Sequence, residues 1–227
     1  FLKTEYLPCA RDNVGMMYMK GGDALYRYKV QSTTTLPMTP EQIHELGLSE
    51  VARITAEFEK VRQEVGFSGD LHAFFEHMRT SPQFQPKSRE QLNRDYYRIQ
   101  KAVQAKVPQY FSLVPKTPLV IRPYPPYREK FEAGGSYDQG TPDGSRPGTF
   151  YFNAYDLPSR TTPGMTTLYL HEGSPGHHFQ ISLAQENGAL PPFMRFGGNT
   201  AFAEGWALYA ETLGDDMGFY KDPYQRF

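Results

Sequence analysis

Along the first half of the chain, apolar residues recur at helical spacing. The segment TPEQ supplies an N-cap Thr39, Pro40 at the first helical position and Gln42 at the capping-box position. Ile43, Leu46, Val51, Ile54, Phe58 and Val61 follow, and the pattern predicts a helix over 40–65. A second helix is expected from Leu71 to Met78. A third is expected from Ser88 to Lys106, where Leu92, Tyr96, Ile99 and Val103 are spaced by threes and fours and Pro108 supplies a stop. Residues 1–35 are mixed, and GMMYMKGGDALYRYKV fits one short helix or strand equally well.

After about residue 115 the character changes. VPKTPLVIRPYPPYREKF is too rich in proline for a helix, and AGGSYDQGTPDGSRPG has turn chemistry. Between these breakers, Leu119 to Arg122 and Thr149 to Ala154 read as strands of a small sheet. Met165 to Leu170 follows the Pro163-Gly164 break, and a last helix is expected over about Thr200 to Gly214. The fold class is therefore α+β, mostly helical. Its parts are a helical N-terminal portion over 1–115 and a sheet with the last helices over 116–227, or one continuous domain.

Composition then narrows the function classes. Lys and Arg (24) nearly balance Asp and Glu (25) in 227 residues, so nothing favours nucleic acid or an anionic membrane surface as partner. The longest apolar runs, such as Leu119 to Ile121, fall far short of the roughly 20 residues that cross a bilayer, so no membrane-spanning segment is expected. A lone Cys9, expected to be buried, excludes an internal disulfide framework and a multi-cysteine metal site. Any metal must fall to His, Asp and Glu. The chain starts at Phe1 and stops at YKDPYQRF, which suggests a fragment of a longer protein; nothing in it fixes an oligomeric state.

The candidate chemistry lies in LYLHEGSPGHHFQ, residues 168–180. Zinc peptidase helices usually read His-Glu-x-x-His, with both imidazoles on one face and the glutamate reaching the water. Here the histidines after His171-Glu172 stand six and seven positions from His171. In a regular helix His177 would point about 120° away, and His178 would lie about 10 Å along the axis. Pro175 and the flanking Gly173 and Gly176 must therefore interrupt the helix. Ser174 as a new N-cap with Pro175 at the first helical position would turn His177 back toward His171, so His177 is expected as second ligand in preference to His178.

A third ligand is expected from NTAFAEGWALYAETLG, where a helix places Glu204, Leu208 and Glu211 on one face. Glu204 would bind metal and Glu211 would brace a histidine or serve as alternative ligand. Trp206, Leu208 and Tyr209 are expected in the core. His44-Glu45 sits in an ordinary amphipathic helix without a second ligand, and His72 and His77 lack an acid after the first; none of these is expected to form a site.

These motifs carry a resemblance. HEGSPGHHFQ, FAEGWALYAE and GFYKDP match the HEGxPGHHxQ, FxEGWALYAE and GxYxDP segments of the bacterial domain-of-unknown-function 885 family, and the likeness extends upstream through HELGLSEVARI and the Asn153 strand. The resemblance implies a gluzincin-like zinc metallopeptidase: Zn2+ on His171, His177 and Glu204, Glu172 as general base, and short peptides as substrates. The strand GTFYFNAYD, with Asn153 and Ala154, would run along the site edge and pair with an extended peptide. Alternatives are a zinc hydrolase of non-peptide amides and a catalytically inactive peptide-binding domain. Members of the family are usually longer. An exported location, periplasmic or as a lipoprotein, is the expectation, with the signal segment outside this chain.

Overall fold

The computed structural model describes residues 1–226. The chain divides into two compact units, residues 1–53 and residues 54–227. In the first, the undecided segment is a helix, α1 (Gly22–Thr34). Within this unit Arg27 pairs with Asp23 and Glu41. Helix α2 (Pro40–Glu64) begins with the expected reciprocal cap: the Gln42 amide donates to Thr39 Oγ1 (3.2 Å), and the Thr39 amide donates to Gln42 Oε1 (2.9 Å). Its apolar stripe behaves differently from the expectation. Leu46, Val51 and Ile54 are exposed, and only Val61 reaches a core. Cys9 is likewise exposed rather than buried.

The second unit holds the sheet and the motifs. Helix α3 (Leu71–Thr80) is capped by Asp70, and α4 (Arg89–Tyr110) by Ser88, each side chain accepting the amide three residues on. Pro108 does not stop α4. It sits in the last turn, where a missing amide removes a single ladder bond, and the helix continues to Tyr110. Strands β1 (Leu119–Pro123), β2 (Gly135–Asp138) and β3 (Gly148–Phe152) form one sheet in the order β1-β3-β2. β1 is parallel to β3, with Ile121 opposite Phe150; β2 is antiparallel, with Tyr137 opposite Phe150.

This order corrects one expectation. β3 is the central strand, so its backbone is taken up on both sides and is closed to a peptide. Asn153 and Ala154 lie just beyond it, both buried. The Asn153 amide donates to the carbonyls of Glu129, Glu132 and Ala133, and its oxygen accepts from the Tyr155 amide. With its side-chain nitrogen committed to the loop from Glu129 to Ala133 and its oxygen to the Tyr155 amide, Asn153 is a structural clamp.

The core is continuous across residue 115. Leu92, Tyr96, Val103 and Val107 of α4 pack with Ile121, Phe150 and Phe152 of the sheet and with Met165, Tyr169, Leu170 and Phe179 from the motif helices. Tyr96 meets Phe150 edge-on at 5.1 Å. Packing of this kind contributes about 1.5–3 kcal/mol per buried large side chain, and it anchors the apolar side of the helix that carries His171. Helices α5 (Met165–Glu172), α6 (His177–Glu186), α7 (Pro192–Phe196) and α8 (Thr200–Asp216) complete the unit. None of the described helices is long and apolar enough to cross a membrane.

Candidate metal centre

The motif is two helices with a break. α5 ends at Glu172, Gly173 to Gly176 run as a tight linker with a cis Ser174–Pro175 bond, and α6 starts at His177. The restart therefore comes later than expected: Gly176, with no capping side chain, holds the N-cap position instead of Ser174. Ser174 and Pro175 are buried in the linker. Gly176 is needed for a close approach, since a β-carbon there would overlap the carbonyl oxygens of Leu170 and His171. The Trp206 indole N–H donates to the Pro175 carbonyl at 2.7 Å and ties the linker to α8.

The break turns His177 toward His171. The two imidazoles meet nearly perpendicular, ring centres 4.7 Å apart. α8 is capped by Asn199, which accepts from the Phe202 amide, and it packs on α5. It brings Glu204 Oε2 to 3.4 Å from His171 Nε2 and 3.6 Å from His177 Nε2. One donor atom from each of these three residues lies within 4.8 Å of the other two. Ligands 2.0–2.1 Å from a tetrahedral zinc stand about 3.4 Å from one another. The two nitrogen-to-carboxylate separations match that edge, so the donor set fits a zinc ion in its chemistry and in those two spacings.

Around the cluster, protonation is arranged by environment. His171 Nδ1 donates to Glu211 Oε1 at 2.7 Å, which fixes the ring and leaves Nε2 facing Glu204. That hydrogen bond raises the pKa of His171 against the opposing effect of burial. His177 is pushed down, first by burial and then by the charge of His171, so it is held neutral as a ligand nitrogen requires. Glu172 is buried, and burial raises its carboxyl above the usual range. A carboxylate moved toward neutrality is suited to exchanging a proton.

The other expected residues fall outside the cluster. His178 is 2% exposed and faces the sheet, with Nδ1 3.1 Å from the Tyr137 hydroxyl and 3.5 Å from Ser182 Oγ. Burial lowers its pKa to about 4. Glu211 braces His171 and is not in the ligand trio. Leu208 and Tyr209 are exposed, not core: Leu208 shares the solvent-open face of Glu204, and Tyr209 lies on the flank beyond it. Of the remaining histidines, His44 and His72 are exposed, and His77 packs between Phe67 and Phe84.

Residues 1–227 match the family described as bacterial protein of unknown function (DUF885). The chain belongs to the DUF885 family. Among curated proteins none matches this DUF885 chain. A solved structure described as "the putative lipoprotein from Colwellia psychrerythraea" is similar at 30% identity with a TM-score of 0.93. The match covers 97% of this chain and 39% of that one, so the chain spans about two fifths of that relative's length. The fold is thus shared with a bacterial protein that carries a substantial further portion.

Proposed function

We propose that this chain carries the zinc site of a zincin-like metallopeptidase that hydrolyses short peptides. The observation that supports this best is the trio His171, His177 and Glu204, its donor atoms within 4.8 Å of one another, with the buried Glu172, its carboxyl shifted toward neutrality, directly after the first ligand. A bound zinc ion supplies Lewis acidity toward a carbonyl and acidifies water toward a pKa of about 7. His171, His177 and Glu204 hold it, and Glu211 keeps His171 in its working tautomer. Glu172 takes the proton of the attacking water and returns it to the leaving amine.

Peptide recognition falls to a different strand from the one expected. The outward carbonyls of β1, Leu119 and Ile121, are covered by Gln100 Nε2 (3.3 Å) and Tyr97 Oη (3.0 Å) from α4. The free edge of the sheet is therefore β2, which also packs on α5. Asn153 N bonds Gly134 O (2.9 Å), and antiparallel alternation then points the backbone groups of Gly135 and Tyr137 outward. An extended peptide adding there would gain main-chain hydrogen bonds beside the metal helix. The Colwellia relative's description as a "putative lipoprotein" supports an exported location for the whole protein.

Elemental analysis of the purified chain and of ligand variants tests the site. One zinc per chain is expected, lost in His177→Ala and retained in His178→Asn. The opposite pattern, or stoichiometric zinc in both, rejects it. Cleavage of a peptide library by the full-length protein separates a peptidase from a hydrolase of other amides or from a binding domain that turns nothing over.

A further inference from the structure

The segment GFYKDP after α8 takes no part in the ligand set, yet its tyrosine closes a circuit around the metal centre. α8 ends in a Schellman turn: Gly218, at φ +73°, donates its amide to Asp215 O (2.9 Å), and the Phe219 amide donates to Gly214 O (2.8 Å). The turn throws the chain back along the helix it has just left. Tyr220 then lies across Gly214, where a β-carbon would overlap its ring, so the helix has no side chain at the crossing point.

The hydroxyl of Tyr220 has two partners on two helices. It donates to the backbone carbonyl of Glu211 on α8 at 2.8 Å and accepts from Thr167 Oγ1 on α5 at 3.1 Å. Thr167 lies one turn before His171, and the Glu211 carboxylate holds His171 Nδ1 at 2.7 Å. α5 and α8 are thus joined twice on the same faces, once through Tyr220 and once through the histidine–glutamate pair. The first junction fixes the distance between the helices across which the second must reach.

We propose that Tyr220 is a positioning residue for the metal centre: its hydroxyl, bridging Thr167 and the Glu211 carbonyl, sets the α5–α8 spacing that keeps the Glu211 carboxylate on His171. Removing that hydroxyl leaves the carbonyl of Glu211 in its own helical ladder but unties it from α5. Two helices that carry ligands to one ion then gain freedom along the very direction that separates His171 from Glu204 and Glu211. Outer partners of metal-bound histidines are worth 10–100-fold in affinity. Acting through one such partner, Tyr220 is expected at the lower end, about 10-fold.

The affinity readout rests on the zinc reading above, and a metal-free readout stands beside it. In the full chain, Tyr220→Phe keeps the ring and removes only the hydroxyl; Thr167→Val removes the other partner. Competition titration should show zinc affinity weakened about 10-fold in each, and the visible bands of the cobalt-substituted protein should shift. In a Glu211→Gln background, Tyr220→Phe should add nothing, because the effect passes through Glu211. Without metal, the downfield Nδ1 proton of His171 should be sharp in the parent by NMR and broadened by exchange in Tyr220→Phe.

If Tyr220→Phe lowers the melting temperature while dissociation constant, cobalt bands and imidazole proton stay as in the parent, the proposal is overturned. Additivity with Glu211→Gln overturns it as well. Should the parent bind neither zinc nor cobalt, the zinc reading has failed by itself. The imidazole proton then decides on Tyr220 alone, broadening in the variant supporting the proposal and an unchanged signal rejecting it.

Discussion

Acid should destabilise this fold through His178, and the size of the effect follows from its surroundings. The imidazole is wedged between the Tyr137 hydroxyl and the Thr117 backbone at 2% exposure, and burial lowers its pKa from 6.5 to about 4. In the unfolded chain the same side chain titrates near 6.5. Between those values the unfolded state binds more protons than the folded one, so stability falls as pH falls and the full loss is in place below about pH 4. A displacement of about 2.5 units at about 1.4 kcal/mol each gives roughly 3 kcal/mol, a large part of a typical domain's stability. Urea unfolding in the presence of a chelator, at steps from pH 7.5 to 4, should show the parent's stability advantage over His178→Asn shrinking by about that amount. His171, His177 and Glu172 titrate in both proteins and cancel in the difference. A gap that stays constant with pH would refute the assignment of a neutral, sheet-facing His178.

Three further outcomes are expected. Glu172→Gln in the full-length protein should retain zinc by elemental analysis and lose turnover by about 10² or more, the scale of a missing general base; undiminished turnover would remove Glu172 from the chemistry. Gly176→Ala should force the α5–α6 break open against the Leu170 and His171 carbonyls, costing about 1–3 kcal/mol by denaturant titration and weakening zinc binding at least 10-fold. Wild-type affinity in that variant would show that the linker geometry does not aim His177. Zinc binding should weaken with acid from above the usual histidine range, because Glu211 raises the pKa of His171 and the metal must displace that proton. In the metal-free protein the same pairing stabilises the fold at low pH and fades as pH rises through the raised pKa. Calorimetry from pH 5.5 to 8 checks the first statement, and a pH-independent affinity would contradict it.

The parts of this fold that were legible in the sequence are those written in local chemistry. TPEQ states its own capping box, and the breakers in HEGSPGHHFQ by themselves require an interrupted helix. Both hold because a cap or a proline acts within a few residues. The three ligand candidates were legible for the same reason, as imidazole and carboxylate groups on helices of definite phase. Strand β2 was not, since GSYD is four residues long, begins with glycine, and owes its pairing to Phe150 and its neighbours rather than to any alternation of its own. The assignment of Asn153 to substrate failed for a related reason: strand order depends on partners distant in the chain. The exposure of Leu208 and Tyr209 is a third case, because periodicity gives the face of a helix and not what, if anything, lies against it.

The hydrogen bond from Trp206 to the Pro175 carbonyl involves the only tryptophan in the chain. The protein therefore contains one indole fluorophore, and it is bonded to the linker that separates the two histidine helices, two residues from Glu204. Any movement of that linker changes the polarity and quenching around a single emitter, with no second tryptophan to dilute the signal. Intrinsic emission, measured on unlabelled protein, is accordingly a local optical gauge of the proposed metal centre as much as of unfolding. A stopped-flow trace on mixing with zinc would follow any response of that indole's surroundings directly.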